Sequence, residues 1–326
     1  CDCEGGGSVR DLKLRRVLCA PLRLDGRVAG VLYADSRVEP DGWGRSDLKL
    51  FEAVASQCTL ALERDALSRE RSHLREEMRA AGFVQRAMQP VLPGDDCAVE
   101  IAGLSRPREE AGGDYLDALP GRDGRWVAVL GDAAGHGVAA ALCMSAARSL
   151  VRALLPRTAD LAELLGEVNR GLVRDMAHGT FMTLFLAEVD PSPGVMRYAS
   201  AGHGGALVHR AATRTCEELP PTGPALGFLA DAAYRIERPA PLAPGDSLLL
   251  FTDGVDEAAG PEDRFGTGRI RDHLRRMNDA DGQTLAESLV REVVRFEGPA
   301  GARDDVSVLV VRGTRADKKT GAAPAA

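Results

Sequence analysis

The chain has 326 residues, enough to bury one large domain and a smaller one beside it. Its 41 Lys and Arg are set against 48 Asp and Glu, a net charge of −7, which argues against nonspecific nucleic-acid binding because that needs a basic face. No apolar run approaches the roughly 18 residues of a membrane span and no signal-peptide pattern opens the chain, so a cytoplasmic protein with no membrane segment is expected. The seven cysteines are scattered and odd in number, which reads as reduced buried thiols; Cys1-Asp-Cys3 supplies too few ligands for a metal site. The first residue is not Met, so the sequence reads as a piece of something longer.

In chain order, residues 16–22 and 28–34 are β-prone runs joined through Leu24-Asp25-Gly26-Arg27, a hairpin signal. Two strands cannot hold a core alone. Helical periodicity sets in after Gly44, with Ser46 as N-cap and Phe51, Val54, Cys58 and Ala61 on one face. Leu60, Leu67, Leu74, Ala81 and Met88 then recur every seven residues, opposed by Arg and Glu. This weak seam reads as a dimerising or signal-transmitting helix across residues 46–90, against the plainer reading of a linker on a domain surface. Gly82 is a candidate interruption, and Pro90 to Pro93 ends the helix.

From Val99 the pattern is mixed. Strands are expected at 98–104, 114–119, 126–131, 181–189, 195–200, 205–209, 234–238, 247–251 and 306–312. Helices are expected at 137–155, 160–177, 267–277 and 284–297, the last opening on a Thr284/Glu287 capping box. Strands separated by turns, with helices in pairs, predict a layered α/β (α+β) domain of largely antiparallel sheets. Residues 314–326 have nothing to bury and are expected to be disordered.

Four acidic clusters carry the chemistry: Gly112-Gly113-Asp114, Gly131-Asp132, Thr252-Asp253-Gly254 and Asp304-Asp305. Each lies where an apolar run meets a loop. Asp132 and Asp253 end the runs WVAVLG and SLLLFT, whereas Asp304-Asp305 precedes VSVLVV, so antiparallel pairing would bring strand ends and a strand start to one edge. Two carboxylates 4 Å apart repel by about 4 kcal/mol at an effective dielectric of 20. An all-oxygen cluster of this kind suits Mg²⁺ or Mn²⁺, and two ions sharing Asp132 would lower the pKa of a water between them for in-line attack on phosphorus. Taken singly, Asp-Gly is a common turn pair; the combination carries the inference.

The motifs Glu110-Ala-Gly-Gly-Asp114-Tyr-Leu-Asp117, Gly131-Asp-Ala-Ala-Gly-His-Gly137, Phe251-Thr-Asp-Gly-Val255 and Asp304-Asp-Val-Ser307 together resemble the bacterial SpoIIE/RsbU-like branch of the metal-dependent serine/threonine phosphatases, the phosphatase 2C-like superfamily. The resemblance spans about residues 85–312 in the family's order. It implies an α-β-β-α sandwich of two antiparallel sheets flanked by helices, with two Mn²⁺ or Mg²⁺ ions in a cleft. Asp132 would bridge both ions, Asp114 would bind the second, Asp253 and Asp304 the first, and the Ala133 carbonyl would contribute. Asp305 is then a turn-capping residue, Asp117 a supporting or solvent-exposed acid, His136 a loop residue rather than the proton donor, and Arg108 an exposed charge rather than a phosphate ligand. Ala133-Ala134 stands where the branch often has Val-Ser, and Ala199-Ser-Ala-Gly-His203-Gly-Gly departs from its Asn-Ala-Gly-His pattern; neither removes a ligand, and His203 reads as structural.

Upstream, Val17-Leu-Cys-Ala-Pro-Leu22, residues 25–34 and Phe51-Glu-Ala-Val-Ala-Ser-Gln57 resemble the C-terminal half of a GAF sensory domain. The division expected is a partial GAF-like domain at 1–62, a helical linker at 63–93, the phosphatase domain at 94–313 and the tail. The activity implied is hydrolysis of phosphoserine or phosphothreonine in a phosphorylated protein, with an anti-sigma-factor antagonist as the substrate that relatives suggest. The competing readings are a catalytically silent module that acts by partner binding, and hydrolysis of a small phosphorylated metabolite.

Overall fold

A computed structural model of the chain describes residues 16–24, 26–36, 44–87, 92, 99–158, 160–176, 179–190 and 194–314. Two compact units result, Cys1–Glu77 and Met78–Ala326. In the first, β1 (Arg16–Leu24) and β2 (Arg27–Ser36) pair as an antiparallel hairpin closed through Gly26 at φ +75°. Helix α1 (Arg45–Ala87) begins in this unit and ends in the second, running unbroken through Gly82. Ser46 lies inside its first turn; the backbone N–H of Gly44 instead donates to Asp47 Oδ2 at 2.7 Å, so an acid at the start of the helix closes the turn. Leu60 and Leu67 of the heptad series are exposed, while the side chains of Leu74 and Ala81 lie outside the described residues, as do Met88, Pro90, Pro93 and the tail from 315.

The second unit is built on two antiparallel sheets. One has the order β4 (Asp114–Pro120), β5 (Trp126–Ala133), β6 (Met182–Val189), β7 (Met196–Ala201). The other has the order β3 (Val99–Arg106), β11 (Val306–Gly313), β10 (Ser247–Phe251), β8 (Ala206–Arg210), β9 (Thr215–Glu218). Helices α2 (Val138–Leu154) and α3 (Leu161–Asp175) cover the first sheet; the short α4 (Asp253–Asp256), α5 (Gly266–Arg276) and α6 (Gly282–Glu297) cover the second. The α-β-β-α sandwich implied by the motifs is the observed architecture.

Strand periodicity explains the long apolar runs. Val127 and Val129 of β5 face α2 and α3, whereas Ala128 and Leu130 face the opposite sheet. In β11, Val306, Val308 and Val310 face α6, and Leu309 and Val311 face the inter-sheet layer. With both faces buried there is no polar alternation to read.

Three local expectations change. Residues 234–238 form a single bridge, Tyr198 with Glu237: Pro239 stops a ladder on one side, and on the other Ser200 and Ala201 of β7 are already engaged by Thr222 and Gly223. Strand β9 is an addition to the expected set: its four residues, Thr-Cys-Glu-Glu, pair only with β8 at the sheet edge. Helix α6 starts at Gly282, capped by Asp281, whose carboxylate accepts from Thr284 N at 2.7 Å; the Thr284/Glu287 box does not form. Among the described cysteines Cys143 is buried, Cys19 is exposed, and all four are free thiols.

Candidate metal centre

Strands β4 and β5 place Asp114 and Asp132 directly opposite one another. Both share the parity of Ala118, Ala128 and Leu130, so both side chains belong to the inter-sheet face, at the end of the sheet. The other sheet answers from across the gap. Thr252, just past the end of β10, continues the inter-sheet parity of Leu248 and Leu250, and its buried hydroxyl donates to Asp114 Oδ2 at 3.0 Å. The Thr252 N–H donates to the Ser307 carbonyl at 3.1 Å, which ties the Asp253 turn to the start of β11. Gly254 is required there: a Cβ would run into the Asp305 carbonyl.

Asp305 holds the loop in front of β4. Its Oδ1 accepts from Arg108 N at 2.7 Å and its Oδ2 from Gly113 N at 2.6 Å. Gln85, near the end of α1, grips the same loop, donating to the Gly112 carbonyl at 2.7 Å and accepting from its N–H at 3.0 Å. The Ala133 carbonyl lies 3.0 Å from where a Cβ of Gly113 would stand, so glycine at 113 leaves that oxygen uncrowded. Asp304 is exposed at the rim.

The electrostatics record an uncompensated cluster. Burial, then repulsion from Asp253, Asp304 and Asp305, pushes Asp132 up to about 7. Burial and the neighbouring Asp132 hold Asp114 well above the usual carboxylate range, partly offset by the Ser307 and Thr252 hydroxyls. Asp253 is open to solvent on one side, yet the protein packed against its other side, followed by Asp304, Glu257 and Asp256, raises it to about 6. Asp114 Oδ1 is buried with no hydrogen-bond partner.

Among the described residues, no group of three or more His, Cys, Asp or Glu stands ready to hold a metal ion. The donor set nonetheless fits hard divalent cations: it is all oxygen, it repels itself, and it contains a buried lone-pair site with no donor.

The remaining candidates separate from this cluster. Asp117 has the opposite parity, faces the helices and is fully buried; it accepts two hydrogen bonds from Arg152, both 2.8 Å, and one from Tyr115 at 2.9 Å. His136 is turned outward, 4.0 Å from Glu109. The Arg108 guanidinium donates to the Arg303 carbonyl at 2.6 Å, lacing two loops together. His203 is buried, with Nδ1 3.0 Å from the Thr183 hydroxyl, and burial lowers it to about 4, so it is neutral. It lines, with Asp132, Asp253 and Asp256, a cleft of about 320 Å³. Sequence reasoning assigned no role to Thr252 or Gln85. The Thr in Thr-Asp-Gly was visible, but its reach to Asp114 needs the second sheet.

A family model described as Stage II sporulation protein E (SpoIIE) matches residues 122–314, and a GAF domain model matches residues 3–62. Asp114 lies upstream of the first of these ranges. The phosphoserine phosphatase RsbU of Bacillus subtilis (strain 168) is 27% identical over 263 residues, covering 81% of this chain and 78% of RsbU. Protein IcfG of Synechocystis sp. is 24% identical over 265 residues, of which this chain spans 41% of the IcfG length. Among solved structures, the SiaA-PP2C domain of Pseudomonas aeruginosa superimposes with a TM-score of 0.64 at 28% identity, over 74% of this chain and 98% of that one. The RsbU and RsbW domains of a Mycobacterium tuberculosis protein do so at 0.57 and 29%, over 69% and 61%. With more than half its length matched by the family model, and with this sandwich, the chain belongs to the SpoIIE family of metal-dependent serine/threonine phosphatases.

Proposed function

We propose that Asp114, Asp132, Asp253, Asp304 and the Ala133 carbonyl hold two divalent ions, Mn²⁺ or Mg²⁺, and that the substrate is a serine-phosphorylated anti-sigma-factor antagonist. The observation that carries the reading is the pairing of Asp114 with Asp132 across β4 and β5, with Asp253 and Asp304 close enough to raise the Asp132 carboxylate. When bound, such ions supply a water of lowered pKa and neutralise the phosphoryl oxygens. The chain's own residues set the frame. Thr252 fixes one oxygen of Asp114 and leaves the other free; Asp305 and Gln85 hold the 108–113 loop; neutral His203 orients Thr183, the cross-strand neighbour of Asp132.

The substrate proposal is supported by the relationship to RsbU, a phosphoserine phosphatase, and to a structure that joins RsbU and RsbW domains. We carry the division into a sensory part at 1–62, a linker at 63–93 and a phosphatase at 94–313 as part of the same reading, and a homodimer through residues 46–90, favoured by the exposed Leu60 and Leu67. No described helix is long and apolar enough to cross a membrane.

The deciding experiment is release of phosphate from phosphorylated antagonists with and without Mn²⁺ or Mg²⁺. Cation-dependent turnover that disappears in Asp132→Asn and Asp253→Asn is expected. Turnover that persists in chelator, or in both variants, would overturn the ligand assignment; cation binding without turnover of any phosphoprotein would favour the silent module.

A further inference from the structure

Beside the cleft stands an apolar surface that the hydrolytic site does not use. Phe228 is 67% exposed, Leu229 51% and Phe181 38%, and the two phenyl rings meet edge to face at 6.3 Å. Exposed aromatics on a floppy loop would mean little, but this loop is pinned on both sides. Leu226 exchanges two backbone hydrogen bonds with Met182, at 2.8 and 2.9 Å. The buried Asn169 of α3 accepts from Gly227 N at 2.8 Å and donates to the Leu229 carbonyl at 2.8 Å. Gly227, at φ +82°, packs on the backbone of Thr180 and Phe181, where a Cβ would come within 2.7 Å of the Thr180 carbonyl. The backbone that carries these side chains is thus fixed before a partner arrives, which lowers the ordering cost of docking.

The surface is also tied to the reacting end of the sheet. Ala134 N donates to the Phe181 carbonyl at 2.9 Å, and Thr183, two residues further on, pairs with Asp132. Two residues of extended chain span about 7 Å. Phe181 therefore lies within the footprint that a folded protein delivering a phosphoserine to Asp132 would cover, and Phe228 packs against it.

We propose that Phe181, Phe228 and Leu229 form the docking face for the folded phosphoprotein substrate, receiving an apolar patch that flanks its phosphoserine. This rests on the protein-phosphatase reading above and deepens it: selectivity for a folded protein comes from this face, while the carboxylate cluster acts on any phosphoserine presented to it. Burying one phenyl side chain is worth roughly tenfold to a hundredfold in affinity.

The test compares the full chain with Phe228→Ser, Leu229→Ser and Phe228→Leu, at saturating Mn²⁺, on a folded serine-phosphorylated anti-sigma-factor antagonist and on para-nitrophenyl phosphate. The quantity read is the ratio of kcat/KM on the protein to kcat/KM on the small ester. The expected result is a fall in that ratio of about tenfold to a hundredfold in Phe228→Ser, residing in KM, a smaller fall in Leu229→Ser, and substantial recovery in Phe228→Leu. A ratio within about twofold of wild type in both serine variants overturns the proposal. Self-association of the wild type that both serine variants abolish would assign the face to a second copy of the chain and overturn it equally. A wild-type chain that hydrolyses the small ester but no phosphoprotein sinks the protein-substrate reading and the docking face with it; one that hydrolyses neither favours the silent module and overturns the docking face as a substrate surface as well.

Discussion

At the scale of single residues, the proposed ligand cluster would trade stability for the capacity to bind cations. Replacing Asp132 by Asn removes a carboxylate that burial and three neighbouring acids already push up to about 7, so the metal-free chain should melt higher while phosphate release is lost. Thermal melting in chelator, set beside a turnover assay, checks both halves; a lower melting point would mean that the carboxylate repulsion is not costing stability. Thr252 invites a subtler substitution. In Thr252→Val the shape is retained, but Asp114 Oδ2 loses its donor and Ser307 N loses its acceptor, at 3.0 and 3.1 Å. Partners that orient a ligand are worth about 10- to 100-fold in metal affinity, so the Mn²⁺ concentration giving half-maximal activity should rise by that factor, and kcat at saturation should change less. An unchanged Mn²⁺ requirement would exclude Thr252 as a positioning residue.

At the scale of elements, Asp117 shows how one residue step in a strand changes a role. Asp114 faces the gap between sheets; Asp117, of opposite parity on the same strand, faces α2 and locks it through Arg152. Asp117 is fully buried, whereas the Arg152 side chain is 39% exposed. The two truncations should therefore differ: Arg152→Met strands a buried carboxylate and should cost about 3 kcal/mol, more than Asp117→Leu, which leaves a guanidinium able to reach water. Urea denaturation of both variants measures the order, and the reverse order would mean that the buried carboxylate is not what the guanidinium stabilises. Neither should shift the Mn²⁺ requirement, since the pair lies on the helix-facing side of the sheet. Gly254 marks a very close approach between elements, and Gly254→Ala should disturb the Asp253 turn by driving a methyl group into the Asp305 carbonyl just ahead of β11.

At the scale of the whole molecule, the raised carboxylates make stability depend on pH in a definite direction. Free of metal, folded Asp132 and Asp253 keep protons up to about 7 and about 6, while the unfolded chain has released them near 3.8. The folded state binds more protons in that window, so their contribution to stability falls as pH rises from about 4 to about 7. In chelator, the melting difference between Asp132→Asn and wild type should widen in favour of the variant from pH 5 to pH 8; at saturating Mn²⁺ it should shrink or reverse, because the cation binds only the folded wild type tightly. A difference that narrows with pH in chelator would mean that the folded state does not hold the extra protons. The same cluster shows what could be read in advance. Apolar runs ending in Asp-Gly, or beginning after Asp-Asp, determined by themselves that strands end in carboxylates, since side-chain chemistry and strand periodicity are local properties; a layered domain of antiparallel sheets followed from helices arriving in pairs, and its α-β-β-α order from the family resemblance of the motifs. The contacts of Thr252 with Asp114, of Asp305 with Gly113 and of Asn169 beneath Phe228 join positions 138, 192 and about 60 residues apart. Residues 234–238 had a strand's composition, but pairing requires a free partner edge, and Thr222 and Gly223 already occupy the end of β7 beyond Tyr198. The sequence alone determined which carboxylates stand at the ends of strands. Only the packing of two sheets decided which carboxylates meet, which one turns away to lock a helix, and which apolar side chains stay uncovered, because those outcomes depend on distances between segments that no local pattern encodes.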